Sequence, residues 1–191
     1  MSVGGIGVIL ARLQPIHNGH LELIDKAVNE NDRVYVFVGS ADKFNARNPI
    51  PISTRLNLVN TALNEKYTES TRNRIRVIPL DDLDDESNNS HEWGFYLYSK
   101  IVTETHEPNF TIYYSDGFEI ITTWFPGFIL RNNVSLSLLA RNSVENGISA
   151  TTVRKMIMDR DDENLQKVVP TCVFELREHI RTLIELSEKI H

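Results

Sequence analysis

Two short segments hold side chains suited to phosphate chemistry. Near the start, A-R-L-Q-P-I-H-N-G-H runs from Ala11 to His20. It follows an apolar, strand-like stretch and leads into a helical one. Pro15 ends the strand, and Gly19 lets a ligand approach the backbone with no Cβ in the way. His17 stands just before the expected helix and His20 in its first turn, a spacing that puts both rings on one side. Free backbone N–H groups and the positive end of the helix dipole face the same place. With Arg12 beside them, the two imidazoles form a site for phosphate charge that grows during a reaction. Late in the chain, G-I-S-A-T-T-V-R-K-M-I begins at Gly147. Ser149 is a natural N-cap, Thr151 and Thr152 fall in the first turn, and Arg154 reaches forward from the next, a set suited to a terminal phosphate. Taken singly, each segment also reads as an ordinary element, two surface histidines in one case and a capped helix in the other.

Other phosphate and metal motifs fail. Gly4, Gly5 and Gly7 precede the first strand and do not spell G-x-G-x-x-G, and no G-K-[ST] loop exists. The histidines have neither a third zinc ligand nor H-E-x-x-H spacing, so no protein-held metal is expected.

The elements that must position these groups alternate along the chain. Ile6 to Leu10, Val34 to Val38, Ile75 to Ile78 and Thr111 to Tyr114 read as buried strands. Leu21 to Val28, a helix capped by Ser53, Trp93 to Val102, Ser149 to Met158 and Cys172 to Ile190 read as helices. Asp81 to Ser90 reads as a polar loop, Phe118 to Arg141 has no clear pattern, and the acidic run Asp159 to Glu163 reads as a solvated turn. Strand–helix alternation of this kind predicts an α/β fold, a doubly wound parallel sheet with ligands beyond the carboxyl ends of its strands.

A chain of 191 residues suits one domain, with a core over 6–158 and a C-terminal helical annex over 159–191. The lone cysteine, Cys172, allows no disulfide framework. No run of about 18 apolar residues is present, and no basic flank precedes the first apolar stretch, so neither a membrane span nor a signal peptide is expected. A net charge of −6 argues against nucleic-acid binding. The expectation is a cytoplasmic protein that takes small anionic ligands; self-association through the last amphipathic helix is left open.

H-N-G-H followed by I-S-A-T-T-V-R resembles the H-x-G-H and I-S-x-T-x-x-R pair of the nucleotidylyltransferase superfamily, whose members join a nucleoside triphosphate to a phosphate-bearing acceptor and release pyrophosphate. Further blocks are similar to one branch, the archaeal-type nicotinamide-mononucleotide adenylyltransferases: V-F-V-G-S-A from Val36, R-N-P-I-P-I-S-T-R from Arg47, V-I-P-L-D-D from Val77, and Y-Y-S-D-G from Tyr113. The resemblance implies a Rossmann-like fold and transfer of the AMP moiety of ATP to nicotinamide mononucleotide, a step of NAD biosynthesis. It implies that Arg12, His17, His20, Arg47 and Arg154 surround the triphosphate, with Gly19 beneath it. Ser149 and Thr151 would anchor the distal phosphates, and Asp82 and Trp93 would recognise the nicotinamide. Mg²⁺ would be carried by ATP. The chain departs from the family in a polar insert at 86–92 and an extended region at 118–146, and no hydrolase or kinase domain is expected beside it. Other readings on the same residues are a different acceptor (pantetheine phosphate, or cytidylyl transfer to a sugar or polyol phosphate) and a nucleotide sensor without turnover.

Overall fold

The computed structural model describes residues 5–83, 91–115, 119–140 and 148–190. Most of the insert at 86–92, the last two residues of Y-Y-S-D-G and part of the 118–146 region lie outside these residues.

The described residues form one parallel sheet of five strands: β1 (Ile6–Ala11), β2 (Arg33–Val38), β3 (Ile75–Pro79), β4 (Phe110–Ser115) and β5 (Val134–Leu139). Their order is β3-β2-β1-β4-β5. The chain builds outward from β1 through β2 to β3, then returns to the other side of β1 for β4. The topological switch therefore lies between β1 and β4, beside the loop that carries H-N-G-H.

Strand side chains alternate between the two faces, and both faces are buried. Val34, Val36 and Val38 of β2 join one apolar cluster, Tyr35 and Phe37 the other. That explains why the strands read as near-continuous apolar runs. The first face carries α1 (Asn18–Glu30), α2 (Ile52–Lys66), α6 (Ala150–Asp159), α7 (Asp162–Val168), α8 (Thr171–Glu175) and α9 (Arg177–Ser187). The second carries α4 (His91–Thr105), a short 3-10 helix (Glu119–Thr123) and α5 (Gly127–Asn132). The single turn α3 (Glu69–Arg72) leads into β3. Among the described residues no helix is long and apolar enough to cross a membrane.

Four local expectations need revision. Helix α2 starts at Ile52 with Pro51 at its N-cap, so Ser53 lies inside the first turn instead of capping it; the fixed φ of Pro51 already sets the entry. The acidic run is no plain turn: Asp161 caps α7, its side chain accepting from the Asn164 N–H, while Asp162 and Glu163 stand at the favourable N-terminal end. The expected helix from Cys172 to Ile190 breaks at Leu176, whose φ of −92° and ψ of 10° lie in the bridge region. The break lets Cys172 and Val173 pack beside α2 while Ile180 and Ile184 pack on α6, two directions that one straight helix cannot serve. The patternless 118–141 region resolves into the 3-10 helix, α5 and edge strand β5, each too short to show a period.

Gly94 belongs to the second face. A Cβ there would lie 2.0 Å from the Trp124 carbonyl oxygen, so only glycine allows α4 to lie against that segment.

Candidate active site

The site is assembled at the carboxyl ends of β1, β2 and β3. Strand β1 leaves the sheet at Ala11 and reaches α1 through six residues, Arg12 to His17. Leu13, Gln14, Pro15 and Ile16 are buried although they form a loop, and Gln14–Pro15 is cis. Burial demands that the loop's polar groups be matched. The Gln14 side chain accepts from the Ile50 N–H (2.9 Å) and donates to the Ile50 carbonyl (3.3 Å), binding this loop to the one that carries Arg47.

His17 is the N-cap residue of α1 and His20 its third helical residue. The backbone N–H of His17 donates to Nδ1 of His20 at 3.3 Å, and the ring centroids stand 3.8 Å apart, tilted by 32°. A nitrogen that accepts this bond carries no proton, so the neutral His20 ring holds its proton on Nε2. His20 is thereby set up as a donor, which is what a phosphate oxygen requires. Gly19 lies between the two histidines in sequence, in the first turn of the helix.

Helix α6 meets the same loop. The Arg154 guanidinium donates to the Gln14 carbonyl at 2.8 Å and to the Thr151 hydroxyl at 3.3 Å. Burial, and next the charge of Arg12, lower its pKa. Like charges held close in this way favour an anion between them. Ser149 caps α6: its hydroxyl accepts from the Thr152 N–H (3.1 Å) and pairs with the Thr152 hydroxyl (2.9 Å). The structure thus gives Ser149 and Thr151 local partners within their own helix. Arg12 and Arg47 are exposed, and the Arg47 turn is shaped by the Asn45 carboxamide oxygen, which accepts from the N–H groups of Arg47 (3.1 Å) and Asn48 (2.9 Å).

The remaining side is organised around Asp82. Its Oδ1 accepts from the Ser40 hydroxyl at 3.2 Å, and its N–H donates to Asp42 Oδ1 at 3.0 Å. Tyr96 of α4 donates to the Asp81 carbonyl at 3.1 Å and its ring lies 5.4 Å from that of Trp93, so one tyrosine links Trp93 to the residue before Asp82. Trp93 itself is only 5% exposed and meets Trp124 edge-on at 5.9 Å. As placed, its indole is a member of the second core, with little ring surface turned outward.

The family described as cytidylyltransferase-like matches residues 11–156, from the β1–α1 loop to α6. The chain belongs to the cytidylyltransferase-like family. It is similar to the nicotinamide-nucleotide adenylyltransferase of Thermococcus kodakarensis, 27% identical over 195 residues, which cover 96% of this chain and 92% of that protein. The enzyme of the same name from Methanococcus aeolicus is 30% identical over 158 residues, covering 81% and 78%. Among solved structures, a bifunctional NMN adenylyltransferase/ADP ribose pyrophosphatase of Francisella tularensis, complexed with AMP and a manganese ion, superposes with a TM-score of 0.62 at 19% identity, over 82% of this chain and 42% of that one. The Plasmodium falciparum nicotinic acid mononucleotide adenylyltransferase gives 0.60 at 15% identity over 95% and 98%. These two structural likenesses carry the fold.

In this cytidylyltransferase-like chain the sequence reading overlooked Arg55, Gln14, Ser40 and Tyr96. Arg55 had a signal. With Leu58, Val59 and Ala62 it occupies the buried stripe of α2 at helical spacing, and an arginine in an apolar stripe must be hydrogen-bonded to something. Its N–H groups donate to the carbonyls of Arg12 (2.8 Å), Gly39 (2.7 Å) and Ser40 (2.8 Å). Burial, then the Arg12 charge, bring its pKa down to about 10, with Asp82 and Asp42 acting in the other direction. It therefore stays charged at neutral pH.

Proposed function

We propose that this chain transfers the AMP moiety of ATP to nicotinamide mononucleotide, releasing pyrophosphate and forming NAD. One observation carries the reading. The His17–His20 pair, Arg12 and Arg154 converge on one loop at the sheet's switch point, in a chain that aligns with nicotinamide-nucleotide adenylyltransferases over nearly its whole length.

The reaction asks little of a general base, because the acceptor phosphate is already ionised at pH 7. An oxygen of that phosphate attacks the α-phosphorus of ATP in line. A new P–O bond forms, the bond from the α-phosphorus to the bridging oxygen breaks, and pyrophosphate leaves with the electron pair. Catalysis then consists of positioning and charge stabilisation. His20 supplies its Nε2–H to a phosphate oxygen as negative charge shifts toward the leaving group. His17 orients His20 through its backbone and adds its own ring. Arg12, Arg47 and Arg154 neutralise the triphosphate, and the N-terminal turns of α1, at Gly19, and of α6, at Ser149 and Thr151, receive its outer phosphates. This donor set of imidazoles and guanidinium groups suits anions, and in this reading magnesium enters as part of the substrate, on ATP.

Asp82 follows β3, and in this reading its carboxylate meets the acceptor base, where it suits a carboxamide donor better than a second carboxylate. That favours nicotinamide mononucleotide over nicotinic acid mononucleotide. Trp93 would contribute through its packing with Tyr96, which shapes the Asp81–Asp82 segment.

The test is pyrophosphate release from ATP and Mg²⁺ with nicotinamide mononucleotide, nicotinic acid mononucleotide, pantetheine phosphate or a sugar phosphate, and with CTP replacing ATP. Release that needs ATP and nicotinamide mononucleotide is expected. Release only with another acceptor or with CTP overturns the assignment, and binding of ATP with no release under any pairing shows a sensor.

A further inference from the structure

Four non-glycine residues among those described have left-handed backbone: Leu13 (φ 52°), Ser40 (φ 49°), His106 (φ 57°) and Arg160 (φ 58°). Arg160 is the C-cap of α6, a common place for such a residue. Leu13 and Ser40 are different. They stand at the exits of β1 and β2, neighbouring strands in the sheet, and both are buried. Left-handed conformations of bulky residues persist only where the surroundings enforce them.

The enforcing group is the same at both places. Arg55 donates to the Arg12 carbonyl, in the peptide directly before Leu13, and to the Gly39 and Ser40 carbonyls, on either side of Ser40. One fully buried guanidinium thus holds the peptides next to both left-handed residues. Each held turn carries a site residue. The first carries Arg12, assigned above to the triphosphate; the second presents the Ser40 hydroxyl, which donates to Asp82. A side chain kept only for packing in the α2 stripe would be apolar, since an aliphatic residue fills such a stripe with no charge to bury.

We propose that Arg55 is a positioning residue that locks the exits of β1 and β2 together and so sets the spacing between the nucleotide side of the site, at Arg12, and the acceptor side, at Asp82. The inference rests on the reading under Proposed function for the identity of the two sides. Its geometry rests on the three carbonyl bonds and the two left-handed turns.

Arg55→Lys tests it. Lysine keeps the charge but not the planar fork that spans three carbonyls. The variant is expected to unfold cooperatively, to bind a non-hydrolysable ATP analogue about ten-fold more weakly by calorimetry without acceptor, and to lose kcat on the order of a hundred-fold. The acceptor KM rises as well. A lower melting temperature with analogue affinity, kcat and both KM values unchanged overturns the proposal and leaves Arg55 a packing residue. If Arg55→Lys does not unfold cooperatively, Ser40→Gly decides. Glycine is at ease at this φ and keeps the carbonyls, so the melting temperature holds or rises while the acceptor KM climbs and the ATP KM stays. An unchanged acceptor KM overturns the proposal. The analogue measurement keeps the two claims apart: wild-type protein that binds the analogue but adenylates no acceptor sinks the activity, and the comparison of Arg55→Lys with wild type still stands.

Discussion

The two sides of the site are built by different means. On the proposed triphosphate side, all the groups but Arg47 come from two contiguous motifs at helix N-termini, and the structure joins these motifs chiefly through the bond from Arg154 to the Gln14 carbonyl. On the proposed acceptor side, Asp82 follows β3, Trp93 and Tyr96 belong to α4, and Ser40 and Asp42 come from the loop after β2. The first side is local in sequence and presents polar groups outward. The second is a relay of contacts whose aromatic member is buried against Trp124. An anion-binding turn can be specified by a few neighbouring residues because helix geometry supplies its donors. A pocket for a flat base needs walls from several elements, and these are set by packing.

The largest effect is expected for His20→Ala: removing one preorganised donor costs on the order of 10²–10³ in kcat, while ATP affinity measured by calorimetry changes little. Equal losses in both would make His20 a binding group only. Arg154→Met comes next. It removes a charge-assisted contact worth about 1.5–3 kcal/mol, so the ATP KM should rise and its dependence on ionic strength weaken, with the acceptor KM unaffected. A change confined to the acceptor KM would erase the distinction between the sides. Gly94→Ala probes the second side through packing. Its new Cβ meets backbone, so a loss of about 1–3 kcal/mol in urea unfolding is expected, together with a raised acceptor KM and intact ATP binding. Asp82→Asn should raise the KM for nicotinamide mononucleotide and lower the preference over nicotinic acid mononucleotide, read from paired kcat/KM values. Retention of the full preference would remove Asp82 from the acceptor side.

The smallest effect concerns Cys172, on neither side. Burial pushes its thiol up to about 11 from the ordinary value of 9.0. Between those two values the unfolded thiol ionises and the folded one stays neutral, so its contribution to stability is full below pH 9 and is lost as pH rises toward 11. Cys172→Ala should flatten that stretch of the stability–pH curve, and native protein at pH 8 should resist alkylation.

The parallel sheet was legible because strands buried on both faces show as apolar runs, and the Arg12–His20 and Ser149–Arg154 segments were legible because turn, cap and helix chemistry operate over a few residues. The C-terminal break at Leu176 was hidden: Leu176, Ile180, Leu183 and Ile184 keep helical spacing, and only the two surfaces to be covered, α2 and α6, force the bend. The Trp93 environment was hidden for a related reason, since a tryptophan on a helix does not reveal whether Trp124 or solvent lies opposite. Arg55 stood in plain view in the α2 stripe, but its partners are 15 to 43 residues away. Periodicity and capping, which act over short range, made β1 to β4, the central helices and the turns at His17 and Ser149 readable from the chain alone. Which buried charge holds which strand exit, and which aromatic faces stay covered, depend on backbone carbonyls and packing surfaces that distant segments bring together, so they emerge only on folding.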